Sequence, residues 1–242
     1  MGEQADLTVV SWNAQGSRGT DLALAAGALA ELAPDLVLLQ EVQRRQLGAL
    51  GEMLSMIDAR WWFKHWPIRV PAEGLGILAR HPITDAHVQV LVHPWAFWNW
   101  RRRIALHATM QVGDRAVQVA DVHLGAGVSH EERVGQARSV LDHASGAALI
   151  AGDLNAEPAS PELSTFARAG WTAAETRLRP PRTPRSPTNW VPGPRTAPPT
   201  QRLDYLLVPG TTDVLEAFVP DDWMRWAVLS DHLPVVARLV FS

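Results

Sequence analysis

The sequence predicts an α/β fold in a single domain spanning residues 1–242. Three observations point there. At 242 residues and 47% hydrophobic, the chain is long and apolar enough for one large core. Short apolar runs alternate with amphipathic segments at helical spacing along the whole length. No internal repeat or compositional break divides the chain.

The elements follow in order. "LTVVSWN" (7–13), with its β-branched residues and Trp12, predicts a first strand. "TDLALAAGALAELAP" (20–34) predicts a helix, with Thr20 as cap and Pro34 as stop. "DLVLLQEV" (35–42) is a continuous apolar run, the pattern of a strand buried on both faces. Helical spacing returns over 44–57. Strands are predicted at 74–80, 86–92, 103–112 and 115–124. Gly113-Asp114 signals a hairpin between the last two. Residues 129–144 predict a helix, with Ser129 and Glu132 spaced as a capping box. Strands at 147–153, 202–208 and 233–241 complete the pattern. Residues 177–201, dense in Pro and Arg, predict a long extended loop, a feature that is usually functional or mobile.

Composition bounds the chemistry. The net charge of −3 excludes a globally basic nucleic-acid binder, so any polyanion must meet a local basic patch. Cysteine is absent, which excludes disulfides and thiolate metal sites and leaves oxygen and imidazole ligands for any metal. Nearly all positive charge is arginine; Lys64 is the only lysine. No export signal or membrane-length apolar window is visible, and the expectation is a cytoplasmic protein with no evident protein partner.

Polar residues gather at the predicted strand ends. Asn13 ends the first strand, Glu41 follows "DLVLLQ", His123 ends "RAVQVADV", and Asp153 and Asn155 follow "AALIAG". Asp204 opens "RLDYLLV", and Asp231-His232 precede "LPVVARL". Singly, each has an ordinary reading as a loop acid, a hydrogen-bonded histidine or a turn residue. Together they point to one rim of a sheet, where rigid backbone holds accessible side chains.

"SWNAQG", "LLQEV", "DVHLG", "AGDLNAEP", "RLDYLLV" and "SDHLPVVARL" resemble, in order, the motifs of the endonuclease/exonuclease/phosphatase superfamily. That group includes pancreatic-type deoxyribonuclease, apurinic-site endonucleases, sphingomyelinases and inositol polyphosphate 5-phosphatases. "HEERVGQ" resembles a helix of the family in which an Arg and a Gln recur, here Arg133 and Gln136. The resemblance runs from about residue 7 to 241. It implies a four-layer sandwich of two mostly antiparallel β-sheets packed face to face, with helices outside.

The resemblance and the chemistry of the residues lead to the same expectations. Phosphoester hydrolysis needs a hard divalent cation on oxygen ligands, Mg²⁺ or Mn²⁺. Glu41 is the expected ligand, with Asn13 and Asp231 beside it. Asp153 is expected to activate the attacking water, and Asn155 to donate to the phosphorane oxygen without adding negative charge. His232, oriented by Asp204, is expected at a non-bridging oxygen. His123 is expected to protonate the leaving group, with Glu73 as its orienting acid. Two departures argue against apurinic-site repair. Gln15 stands where that branch has Asp, and the sole tyrosine, Tyr205, is not near "DVHLG".

"WWFKHW" (61–66) and "WAFWNWRRR" (95–103) interleave aromatics with basic residues. This composition suits stacked bases with phosphates, and equally a lipid headgroup. Trp98, Arg101, Arg102 and Arg133 are the expected substrate contacts. The leading expectation is a phosphodiesterase acting on nucleic acid. A phosphomonoesterase or lipid phosphodiesterase using the same centre stays open, as does a catalytically inactive binding domain.

Overall fold

The computed structural model describes residues 5–64, 72–92, 103–178, 180 and 186–241. In chain order the elements are β1 (Ala5–Asn13), α1 (Leu22–Glu31), β2 (Leu36–Gln43), α2 (Arg44–Met53), β3 (Asp58–Phe63), β4 (Glu73–Ala79), β5 (Ile83–Val92) and β6 (Arg103–Val112). There follow β7 (Arg115–His123), α3 (His130–Asp142), β8 (Leu149–Asp153), α4 (Pro161–Arg168), β9 (Trp171–Ala173), β10 (Asp204–Pro209), β11 (Asp213–Phe218), α5 (Trp223–Ala227) and β12 (Val235–Phe241).

Two six-stranded sheets form, ordered β11-β12-β1-β2-β4-β3 and β5-β6-β7-β8-β10-β9. Each has one parallel pair, β1 with β2 and β7 with β8, and is otherwise antiparallel. A parallel pair needs a crossover, and α1 and α3 supply them. This is the predicted architecture of two facing sheets with helices outside. One apolar cluster, including Val9, Leu38, Ile77, Leu106 and Leu206, draws on both sheets. A second, including Val122, Val140, Ile150 and Phe166, joins the β7–β8 sheet to α3 and α4.

This topology sets the rim. The C-terminal ends of β1 and β2 lie together, with Asn13 level with Gln40. The ends of β7 and β8 likewise place His123 level with Asp153. Antiparallel neighbours bring their N-terminal ends to the same place: Asp204 pairs with Asp153, and Glu73 with Gln43. Six separate stretches of chain therefore deliver polar residues to one edge.

Local details differ from expectation for physical reasons. The first helix starts after Asp21, whose carboxylate accepts from the Ala23 and Leu24 N–H groups. Thr20 instead donates its hydroxyl to the Ala14 carbonyl. Ala33, at φ 46°, turns the chain out of α1 before Pro34. The second helix ends at Met53, four residues short of expectation. The strands at β3, β9 and β11 and the helices α4 and α5 were not expected. Ser129 does accept from the Glu132 N–H, at 3.1 Å. Val112 does pair with Arg115 across the Gly113-Asp114 hairpin. Among the described residues no helix is long and apolar enough to cross a membrane.

Candidate active site

Asp153 stands at the centre of the rim. It follows Gly152, whose φ of 142° suits glycine, and a Cβ there would lie 1.8 Å from the Val122 carbonyl oxygen. The strand can therefore reach the rim closely packed on β7 and present Asp153 at its end. Asp153 Oδ1 accepts the backbone N–H of Asn155 at 2.9 Å, and Oδ2 accepts the Asn13 amide at 3.1 Å. His123 Nε2 lies 3.5 Å and His232 Nε2 3.8 Å from Oδ2. Burial pushes the Asp153 pKa up to about 6, with the His232 charge pulling it down and the Asp204 charge adding to the rise.

His232 is fixed on both ring nitrogens. Nδ1 is 2.9 Å from Asp204 Oδ2, and Nε2 is 2.8 Å from the Asn189 side-chain amide. Burial works against a charged ring, yet Asp204 and Asp153 outweigh it and push the pKa up to about 10. The atom facing Nε2 is the Asn189 amide nitrogen, which also donates to the Asp231 carbonyl at 3.3 Å. Trp12, buried beneath, donates its indole N–H to the His232 carbonyl and packs edge-on against Trp226. Ser230 donates to the Asn13 carbonyl at 2.6 Å and accepts the His232 N–H, tying the segment that leads into β12 to the end of β1.

The other half of the rim carries a cation between acids. Glu41 sits where the β2–β4 register slips, at φ 56°, a sparsely populated conformation for a residue with a side chain. The slip turns it out of the ladder. Lys64, almost fully buried, donates from Nζ to Glu41 Oε1 at 3.1 Å and lies 3.2 Å from His123 Nδ1. Burial lowers the Lys64 pKa while Glu41 opposes the fall. For Glu41 burial acts upward, and Lys64, with His232 and Arg103, brings the pKa below its ordinary value. Glu73 is held above the usual carboxylate range by burial and by the Glu41 charge.

Gln15 closes the arrangement. Its side-chain amide donates to Asp231 Oδ2 at 2.6 Å, its amide oxygen accepts from Arg195, and its backbone N–H donates to Asn13 Oδ1. Like Glu41 and Asn155, it has a positive φ. Three of the strained side-chain-bearing residues of the chain thus lie at this one rim.

The expected site residues fall out as follows. Asn13, Asp153, Asn155, His123, His232 and Asp204 form one connected group, and Glu41 joins it through Lys64 and His123. Asp231 attaches through Gln15. Asn155 also donates from its side-chain amide to the Leu124 carbonyl, which leaves one amide N–H for another acceptor. Glu73 is engaged elsewhere than expected: it accepts the Ser17 N–H at 2.9 Å, and Lys64 and Glu41 stand at His123 Nδ1 instead. Arg133 also departs from expectation. Its guanidinium is consumed by Glu162 and by the carbonyls of Gly125 and Val128, so it braces the 124–129 turn. Trp98, Arg101 and Arg102 lie outside the described residues.

Lys64, Asn189 and the role of Gln15 were missed in the sequence. Lys64 had a signal, as the single lysine of an arginine-based chain. Asn189 had none: it lies in the Pro/Arg-rich stretch and reaches the site through isolated pairings with Gln201 and His232.

The donors suit a hard divalent cation. Glu41, Asn13 and Asp231 carry side-chain oxygens at this rim, the donor type such an ion prefers. Asp153, Asp204 and His232 form a second grouping, with one ligand atom of each lying within 4.8 Å of the others. Asp204 Oδ1 is buried without a hydrogen-bond partner among the described residues, an acceptor still to be satisfied.

A profile described as the Endonuclease/Exonuclease/phosphatase family matches residues 10–232. No curated protein matches the chain in sequence. Solved structures share the fold. An endonuclease/exonuclease/phosphatase from Beutenbergia cavernae superposes with a TM-score of 0.80 at 24% identity, over 97% of this chain and 71% of that one. A mannosyl-6-phosphatase from Bacteroides thetaiotaomicron gives 0.74 at 20%, over 97% and 100%. TDP2 of D. rerio, complexed with single-strand DNA product, gives 0.72 at 19%, over 97% and 99%.

Proposed function

The chain belongs to the endonuclease/exonuclease/phosphatase family, and from that premise we propose that it is a divalent-metal-dependent phosphoester hydrolase, most simply a phosphodiesterase of nuclease type. The observation that carries the reading is the meeting of Asp153, held by Asn13 and the Asn155 N–H, with His123 and His232 at 3.5 and 3.8 Å on one rim. Asp153, with a pKa of about 6, is an ionised base at neutral pH, and His232, with a pKa of about 10, is a cation beside it. A site built for water activation and anion stabilisation needs this division of roles.

Asp153 takes the proton of the attacking water. Asn13 and the Asn155 backbone N–H hold its carboxylate in place. His232, locked by Asp204, places positive charge at a non-bridging phosphate oxygen. The free amide N–H of Asn155 donates to the oxygen that gains charge in the transition state. His123 directs Nε2 into the same space, towards the leaving oxygen. Glu41, Asn13 and Asp231 would hold the divalent ion, Mg²⁺ or Mn²⁺. When bound, that ion neutralises phosphate charge as a Lewis acid.

Among the described residues the rim holds His123, His232 and buried Lys64, with Arg103 acting on Glu41 and Lys64 and Arg195 bonded to Gln15, positive charge that suits a reacting phosphate of either ester class. The related folds include one protein solved with single-strand DNA product and one mannosyl-6-phosphatase, so both ester classes belong in the test. Purified protein is assayed with single-stranded DNA, plasmid DNA, a sugar phosphate and a sphingolipid, each with Mg²⁺ and with chelator. Chelator-sensitive cleavage of DNA supports the nuclease reading. Cleavage confined to the sugar phosphate or the lipid moves the function to that class. No metal-dependent hydrolysis of any of them overturns the proposal.

A further inference from the structure

We propose that Lys64 is a positioning residue: its ammonium, clamped by Glu41, holds His123 as the tautomer that carries its proton on Nε2. The inference rests on the hydrolase reading for its consequence, but its physical content stands on geometry alone. Lys64 Nζ lies 3.1 Å from Glu41 Oε1 and 3.2 Å from His123 Nδ1. An ammonium is donor-only. Its bond to Glu41 anchors it, and its contact with Nδ1 requires that nitrogen to accept. The ring proton then sits on Nε2, which points at Asp153 Oδ2, 3.5 Å away, in the space where the phosphate reacts.

The local fold makes this arrangement specific. Lys64 follows the last residue of β3, and its backbone N–H donates to the Glu73 carbonyl at 3.1 Å, which extends the β3–β4 pairing to the rim. Glu41 is turned out of β2 by the register slip. His123 ends β7, in the opposite sheet. Lys64 therefore ties a strand end of one sheet to a strand end of the other. The family resemblance gives the expectation of a carboxylate, Glu73, orienting His123. A carboxylate at Nδ1 would select the opposite arrangement, with a proton on Nδ1 and Nε2 left as acceptor unless the ring were charged. Glu41 Oε1 lies 4.0 Å from Nδ1, beyond hydrogen-bond reach, whereas Lys64 Nζ at 3.2 Å is within it and selects a neutral ring with an Nε2–H donor. His123 is thus a hydrogen-bond donor to the leaving oxygen, and the positive imidazole of the site is His232.

The experiment is long-range ¹H–¹⁵N correlation NMR of the histidine rings in wild-type protein, Lys64→Met and Lys64→Gln, with His123 assigned through His123→Gln. Steady-state kinetics on the best substrate accompany it, and near-UV circular dichroism checks the fold. Lys64→Met replaces the stem with an apolar chain of similar length. Lys64→Gln restores a donor without charge and covers the case in which the Met variant does not fold. The expected result is an Nε2–H tautomer for His123 in wild type and a shift towards Nδ1–H in Lys64→Met, with Lys64→Gln between them. The expected kcat of Lys64→Met falls by at least about tenfold, with KM little changed. The loss is expected to be larger for an alkyl leaving group than for p-nitrophenolate, which needs less help to depart. An Nδ1–H tautomer in wild type, or an unchanged tautomer in both folded variants, overturns the proposal. If wild type hydrolyses no phosphoester while the tautomer shifts as expected, the hydrolase reading fails and the positioning role stands.

Discussion

Asn13 and Asp153 belong to different sheets, yet the Asn13 amide donates to Asp153 Oδ2 at 3.1 Å. The bond spans the open end of the sandwich, joining the tip of β1 to the tip of β8. It also lowers the Asp153 pKa against the upward push of burial. Asn13→Ala is expected to move the acid limb of the pH–rate profile above about pH 6, because the carboxylate then needs a higher pH to ionise. A pH profile of kcat/KM for wild type and variant measures this directly. An acid limb that stays in place separates Asn13 from the base.

The alkaline side depends on Asp204. His232 must stay protonated, and its pKa of about 10 is sustained by Asp204 and Asp153 against burial. Activity is expected to hold between about pH 6 and pH 10 and to fall above it. Asp204→Asn removes one of the two acids and is expected to bring the alkaline limb down by at least about one pH unit. The same linkage acts on stability: a raised histidine pKa stabilises the fold below its ordinary value of 6.5, and the contribution is lost as pH rises through 10. Thermal melts of Asp204→Asn and wild type are expected to differ most below about pH 6.5, where that contribution is fully present, and to converge at high pH.

Gly152 tests the close packing that positions the base. An alanine Cβ would meet the Val122 carbonyl oxygen at 1.8 Å, at a φ of 142° that side chains avoid. Gly152→Ala is expected to destabilise the fold by about 3 kcal/mol or more and to displace Asp153. Chemical denaturation gives the first value and residual turnover the second. Near-normal stability would mean that β7 and β8 are not packed this closely.

Arg133 separates bracing from binding. Its guanidinium serves Glu162 and two carbonyls. Arg133→Met leaves the buried Glu162 with His130 and its own backbone N–H and is expected to cost about 3 kcal/mol of stability. KM for the folded enzyme is expected to stay within about threefold of wild type. A large rise in KM without loss of stability would return Arg133 to the substrate.

A histidine cluster away from the rim predicts acid sensitivity. His107 stacks on His87, lies near His143, and bonds through Nε2 to Gln89 Oε1. Burial first, then its two histidine neighbours, lowers its pKa to about 4. A depressed pKa means that the unfolded chain takes up the proton first, so stability falls as pH drops from 6.5 towards 4. His107→Gln is expected to flatten that slope in denaturant melts. An equally steep slope in the variant would assign it to other groups.

The sequence made the sheets legible because their central strands are buried on both faces. "DLVLLQ" and "AALIAG" are apolar without interruption, and the polar residue after each marks the rim. Strands at the sheet margins were harder to see. β3 and β11 are half exposed and mix Trp, Asp and Glu into short runs, so no period stands out. At the site, motif order located the residues but not their partners. Pairing across sheets depends on how two strand ends meet, which is why Lys64 displaced Glu73 beside His123. Asn189 reaches His232 from a loop whose Pro and Arg content describes only its lack of regular structure. Arg133 is expected from the sequence at the substrate because an arginine near phosphate chemistry and an arginine bracing a turn look the same until their acceptors are known.

Asp153→Asn measures the central claim most directly. The amide keeps the shape and removes the proton acceptor at the junction of Asn13, His123 and His232. With the fold intact by circular dichroism and divalent-ion binding retained by calorimetry, kcat on the best phosphoester is predicted to fall at least about a hundredfold. Turnover close to that of the unaltered protein would contradict the assignment of this rim as the reacting centre.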